Sequence, residues 1–195
     1  DYVFAPSEEE MYPTSPEATI DFGRMASVME GEFRPGHFAG VGLVVAKLFN
    51  LINPNSAYFG KKDLQQYLLI KRMVCDFNLP VTVIGVPIVR EESGLAMSSR
   101  NRRLTDAGAC TATKIYGGLS LARELWKNNR TPEETKNAVI DFYREQDGLQ
   151  LEYVHIVNPD NLVDISGTDS TEAVMCVACY VEGIRLIDNL YLRQD

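Results

Sequence analysis

Residues 38–89 constrain this chain more than any other stretch, because they alternate between the helical and the strand period. Phe38–Ile52 is apolar on nearly every side, as a helix packed within a domain is, and Asn53-Pro54-Asn55 stops it. Ser56-Ala57-Tyr58-Phe59 is a short apolar run ending at Gly60. From Lys62 the period turns helical: Leu64, Tyr67, Leu68, Val74 and Phe77 mark one buried face of a helix running to about Asn78. Pro80 follows, then Val81–Val89, a β-branched run of the kind buried in a parallel sheet. This order predicts an α/β fold with ligands beyond the carboxyl ends of the strands. Gly60 and Arg90 both follow strand ends and fall on one rim.

Two stretches place chemistry on that rim. In Phe59–Gln66 a glycine between strand and helix lets backbone N–H groups approach an anion, and the helix start adds partial positive charge. Lys62, Asp63 and Gln66 project from one side of the first turns. A cation, a carboxylate and an amide there can grip a triphosphate, a ribose or metal, and a polar second substrate. A solvated helix start with ordinary capping satisfies the same spacing. In Gly94–Asn101 the hydroxyls and amides of Ser98 and Ser99 can donate to phosphate oxygens, and Arg100 can neutralise a leaving pyrophosphate. An ordinary polar loop with Arg100, Arg102 and Arg103 in solvent fits those residues too. His37, at the head of the Phe38 helix, is either a packing histidine or a polar wall of the site.

Elsewhere Tyr2-Val3-Phe4 reads as a strand end, Thr19–Phe22 as a short strand, and Arg24–Glu30 as a brief helix ending at Gly31. A second unit follows. Thr105 caps a helix to about Trp126, and Thr131-Pro132-Glu133-Glu134 is a capping box opening a helix to about Gln146. Strands are expected at Leu151–Val157, Glu172–Val181 and Ile184–Asn189, the last two joined by a Glu182-Gly183 hairpin. His155, within the first of them, reads as structural. The expected division is residues 1–88 and 89–195, the second an α+β unit of two helices and a small antiparallel sheet.

The net charge of −8 argues against nucleic acid as a partner, although basic residues crowd into positions 61–103, as suits a small anionic substrate. No apolar run approaches the roughly 20 residues of a membrane span. Cys176-x-x-Cys179 invites a metal or redox reading, but it lies in a strand-like run, where residues three apart face opposite ways. Cys75, Cys110, Cys176 and Cys179 therefore read as free thiols in a reducing cytoplasm, with no metal ligands among them.

Arg34-Pro35-Gly36-His37-Phe38-Ala39-Gly40-Val41, Phe59–Gln66, Gly85-Val86-Pro87-Ile88-Val89-Arg90, Gly94–Asn101 and Arg185-Leu186-Ile187-Asp188-Asn189 stand in a telling order and spacing, as do Val3-Phe4-Ala5-Pro6 and Met11-Tyr12-Pro13. In these the whole chain resembles the pantoate–β-alanine ligase (pantothenate synthetase) family. The resemblance implies a Rossmann-like nucleotide-binding domain followed by a smaller lid domain. It also implies ATP-dependent condensation of pantoate with β-alanine through a pantoyl adenylate, yielding pantothenate, AMP and pyrophosphate on the route to coenzyme A. Carried over by position, Lys62, Ser98, Ser99 and Arg100 stabilise the phosphates. Gly60, Lys61, Asp63, Val89 and Met97 join them in the ATP site, and Gln66, with His37 nearby, binds pantoate. Mg2+ accompanies ATP, and the family implies a cytoplasmic homodimer. Lys61 stands where the family usually has Glu. The family's opening strand and His-x-Gly-His loop have no counterpart, so the chain resembles the later part of the pattern. A related nucleotidyltransferase with another acceptor, or an inactive C-terminal fragment, are the alternative readings.

Overall fold

The computed structural model describes residues 2–167 and 172–193, and in them the two periods of the sequence become two sheets of opposite kind. The chain opens with α1 (Glu8–Met11), one turn closed by a capping box between Ser7 and Glu10. A 3-10 turn, Gly23–Ala26, and α2 (Glu30–Phe33) precede the long helix α3 (His37–Ile52). Then come β1 (Ser56–Gly60), a 3-10 turn at Lys61–Asp63, α4 (Leu64–Asp76) and β2 (Thr82–Val86). β1 and β2 pair in parallel, from Ser56↔Thr82 to Gly60↔Val86, with α4 as the crossover. Val45, Ile70 and Met73 bury the α3–α4 contact together with Phe22, Phe59 and Val83.

Four expectations for this half need correction. Neither Tyr2-Val3-Phe4 nor Thr19–Phe22 is a strand. The former is exposed, while Ile20 and Phe22 spend their apolar surface against the α3–α4 core instead of on a ladder. The single helix expected at Arg24–Glu30 is broken at Met29, whose φ is +50°, and α2 starts where that helix was to end. Gly31, expected to end a helix, lies inside α2, and glycine is required there because a Cβ would stand 1.9 Å from the Ala26 carbonyl oxygen. The Val81–Val89 strand stops at Val86, before Pro87, which has no N–H for a ladder.

The second sheet is built on α5 (Asp106–Lys127), capped by the Thr105 hydroxyl, which accepts the Gly108 N–H at 3.1 Å, and α6 (Pro132–Arg144), which has the expected Thr131–Glu134 capping box. Strands β3 (Leu149–Val157), β4 (Val174–Val181) and β5 (Ile184–Tyr191) follow in antiparallel order β3-β4-β5. Glu182 and Gly183 both take positive φ, 53° and 73°, the backbone a two-residue hairpin favours. Both faces of this sheet are covered. Met175, Val177 and Cys179 pack with α5 and α6; Val174, Cys176 and Ala178 pack with Leu64 and Leu68 of α4 and with Met29. That double burial explains why β4 reads as one unbroken apolar run. It also puts the two thiols of Cys176-x-x-Cys179 on opposite faces, where burial pushes both above their ordinary range, Cys179 to about 12. His155 has a partner that the sequence does not suggest: its Nδ1 lies 3.0 Å from Asp164 Oδ1, beside the Tyr153 ring. Among the described residues no helix is long and apolar enough to cross a membrane.

Candidate active site

β1 delivers Gly60 to the rim, and the 3-10 turn that follows sorts its neighbours to different sides. Lys62, Asp63 and Gln66 line one cavity, which His37 joins from the head of α3. The free space within it is about 30 Å³, and Ile187, Asp188 and Asn189 of β5 face it from across the site. Lys61 turns away. It lines a second cleft of about 270 Å³ with Arg90, Arg123 and Tyr191, its ammonium 5.4 Å from the Tyr191 ring centroid.

The Gly94–Asn101 loop stands on β5 as well. Val89 and Met97 are largely exposed and joined by a 2.9 Å bond from the Met97 N–H to the Val89 carbonyl, and an Arg90↔Ala96 bridge closes the loop behind them. Ser98 caps the 3-10 turn Ser99–Arg103, its hydroxyl accepting the Arg100 N–H at 3.2 Å. The Arg100 guanidinium donates to the Arg185 carbonyl at 3.1 Å and lines a groove of about 370 Å³ with Arg34 and Arg103. Arg34 lines both this groove and the Lys62 cavity. The fold thus brings Lys62, Asp63, Gln66 and His37 into one cavity and sets Arg100 beside it. Gly60, Ser98, Ser99, Val89 and Met97 lie outside that cavity's wall.

Two buried polar clusters underlie the site. Glu30 is 7 % exposed; its oxygens accept both Arg185 Nη groups at 2.7 Å and the Tyr153 hydroxyl at 2.8 Å. Arg185 also donates through Nε to Glu152 at 2.9 Å. Burial pulls the Glu30 carboxyl upward, but the Arg185 bonds and charge, the Tyr153 hydroxyl and Arg34 outweigh it, leaving Glu30 below its ordinary value. Gln65, also buried, accepts the Glu30 N–H at 3.0 Å and donates to the Met25 and Val28 carbonyls, which fixes the start of α2. In the second cluster Asp188 takes a two-pronged bond from Arg90, at 2.7 and 3.0 Å, and Arg90 stacks 4.0 Å over Tyr116. Burial pushes Asp188 above its ordinary value, with Arg90, the Asn189 N–H and Lys62 opposing. His37 is held below its ordinary value by burial and by the Arg34 charge, against Glu30 and Asp63, so its imidazole is neutral at pH 7.

Glu30, Gln65, Asp188 and Asn189 also line the Lys62 cavity, and none of them is a site residue expected from the sequence. A signal exists for the last two: consecutive polar residues inside the apolar run of β5, both under 5 % exposed, need partners. Glu30 and Gln65 carry none, because their partners are distant in sequence.

The model of the Pantoate-beta-alanine ligase family matches residues 1–191. A pantothenate synthetase of Cytophaga hutchinsonii is 44% identical over 194 residues, 98% of this chain and 69% of that protein. One from Caldicellulosiruptor saccharolyticus is 44% identical over 191 residues, 97% of this chain and 68% of its own length. Among solved structures, pantothenate synthetase from Thermus thermophilus superposes with a TM-score of 0.95 at 41% identity, over 100% of this chain and 70% of that one. Pantoate-beta-alanine ligase from Francisella tularensis, complexed with beta-gamma ATP and beta-alanine, matches with a TM-score of 0.73 at 33% identity, over 97% of this chain and 64% of that chain. The chain spans about two thirds of the length of these relatives, and it belongs to the pantoate–β-alanine ligase family.

Proposed function

We propose that this chain carries the site at which ATP activates pantoate and β-alanine then captures it. A pantoate carboxylate oxygen attacks the α-phosphorus of ATP, the bond to the bridging oxygen breaks, and pyrophosphate leaves. The β-alanine amine attacks the acyl carbon of the resulting pantoyl adenylate, AMP departs with the bonding pair, and the amine loses its proton to give pantothenate. Both steps ask for positioning and charge stabilisation more than for a protein nucleophile. Lys62 and Arg100 meet the charge on the phosphates, and the amides and hydroxyls of Ser98 and Ser99 add hydrogen bonds. Gly60, Lys61, Asp63, Val89 and Met97 frame the nucleotide; Gln66 and neutral His37 hold pantoate.

The observation that carries this reading is the convergence of Lys62, Asp63, Gln66 and His37 on one cavity at the carboxyl end of β1. ATP and beta-alanine are the ligands named for the Francisella tularensis relative. Asp63 offers a single exposed carboxylate there that would help hold a magnesium ion bound with the nucleotide, and the ion would neutralise phosphate charge. We also infer that residues 1–88 and 89–195 act as nucleotide-binding and lid domains of a cytoplasmic homodimer.

Pyrophosphate release from ATP, with and without pantoate, tests the reading. Pantoate-dependent release supports it, and release driven by another acid would instead favour a related nucleotidyltransferase. Silence from a folded sample would leave this chain an inactive piece of the ligase. Lys62→Ala should cut the pantoate-dependent rate by roughly 100-fold or more; near-parental turnover would sink the assignment.

A further inference from the structure

Asn189 stands where the two lysines of the rim part company. It is 3 % exposed, and its side-chain amide donates to two consecutive carbonyls, Lys61 at 2.8 Å and Lys62 at 3.0 Å. It lines both the Lys62 cavity and the Lys61 cleft. One amide bound to two adjacent carbonyls sets both peptide planes of the turn, and with them the directions in which the side chains leave.

The amide is itself anchored. The Asn189 N–H donates to Asp188 Oδ1 at 2.8 Å, and Arg90 grips the Asp188 carboxylate with both Nη groups. Arg90 also donates to the carbonyls of Gly94, at 3.0 Å, and Asn189, at 3.3 Å. Gly94 heads the loop that leads to Ser98, Ser99 and Arg100. A continuous hydrogen-bonded strut thus runs from the Lys61–Lys62 turn through β5 to the Gly94 loop, and Lys62 is close enough to Asp188 for its charge to be felt there.

We propose that Asn189, braced by Arg90 and Asp188, is a positioning residue for the ligase reaction: it presents the Lys62 ammonium to the phosphates and fixes the spacing between the Lys62 turn and the Gly94 loop. Asn189 acts through Lys62 and does not itself contact the reacting atoms, so this rests on the role given to Lys62 above.

The test is a double-mutant cycle in the full-length ligase, read as pantoate-dependent pyrophosphate release. Asn189→Ala should lower kcat by about 100-fold, the scale on which misplacing a catalytic group by an ångström acts, with the β-alanine KM unchanged. In a Lys62→Ala background the same change should cost no more than about twofold, because its target is gone. Leu186→Ala, on the same strand but in the α5–α6 core, lowers the melting temperature and should leave kcat within about threefold of the parent, since its damage is to stability alone. Losses that multiply in the double variant overturn the proposal, as does an Asn189→Ala deficit matched by Leu186→Ala at equal loss of melting temperature. If Asn189→Ala does not fold, the cycle is run with Asn189→Asp. That variant should regain part of the rate as pH falls, because only its protonated carboxyl can donate, and then to one of the two carbonyls. Failure of both variants to fold also overturns it, since Asn189 would then hold the fold and not the lysine. Normal turnover by Lys62→Ala alone would instead strike the functional assignment of Lys62, and this inference with it.

Discussion

The antiparallel sheet is buried on both faces, and the parallel pair is not. Every residue of β4 except Tyr180 is buried, whereas β1 alternates between exposed and half-buried positions, with Tyr58 68 % exposed. Parallel strands usually lie between two helical layers; here α3 and α4 cover one side. The rim residues to which the chemistry is assigned above nonetheless include Lys62, Asp63 and Gln66, which directly follow β1 of that thinly covered pair. What holds them is polar: Asn189 on the Lys61–Lys62 turn, Arg185 on Glu30, and the Arg185 carbonyl on Arg100. The well-packed sheet thus serves as a rigid base to which a thinly packed rim is tied by directional bonds, which fix geometry in a way that apolar contact does not.

The strongest way to break that comparison is Arg185→Ala. Arg185 is 13 % exposed at its side chain and faces two carboxylates, Glu30 and Glu152; the truncation would leave Glu152 without its cation and Glu30 with only Arg34, at 3.8 Å. Such a loss costs roughly 3–5 kcal/mol. Denaturant unfolding should show it, and a change below about 1 kcal/mol, the range of exposed ion pairs, would mean that the rim is not tied by this clasp.

A paired truncation measures the packing difference directly. Met175, 0 % exposed in the α5–α6 core, should lose roughly 2–5 kcal/mol as Met175→Ala. Tyr58→Ala in the same chain should fall within about 0.5 kcal/mol, as for any exposed side chain. Equal losses at the two sites would show that a further surface packs on Tyr58.

Local signals made much of this legible. The Thr131–Glu134 capping box, the Glu182-Gly183 hairpin and the divergent Cys176 and Cys179 each depend on a few neighbouring residues, and each folds as the sequence implies. Helices α3 and α4 form where expected, but α3 buries only Phe38, Gly42 and Val45, and Phe77, expected on the buried face of α4, lies exposed past its end. Lys62, Asp63 and Gln66 do share a cavity, although the reason is not the helical spacing the sequence suggests: Lys62 and Asp63 lie in a 3-10 turn before α4 begins at Leu64. Thr19–Phe22 misled because a strand needs a partner, and partner choice is not local. The supports of the site were hidden by the same rule. Glu30 meets Arg185 across 155 positions and Asn189 meets Lys61 across 128, and nothing in the period of either segment reports the other.

The smallest expected effect separates the two clasps by the sign of their pH dependence. Glu30 lies below its ordinary value of 4.5, so its contribution to stability is fully present above that value and is lost as pH falls through its lowered one. Asp188 lies above its ordinary 3.8, so the folded state holds its proton more tightly; the stability this gives is present at low pH and is lost as pH rises through the raised value. Glu30→Gln should therefore flatten the loss of stability on acidification, and Asp188→Asn should steepen it. Melting curves between pH 3 and 7 read both. A shared sign would mean that the Arg90 charge outweighs burial at Asp188, making the two clasps one kind of device. Opposite signs mean that the Arg185 clasp is a net electrostatic bond, while Asp188 carries a burial cost that the fold tolerates for what Arg90 and Asn189 hold in place.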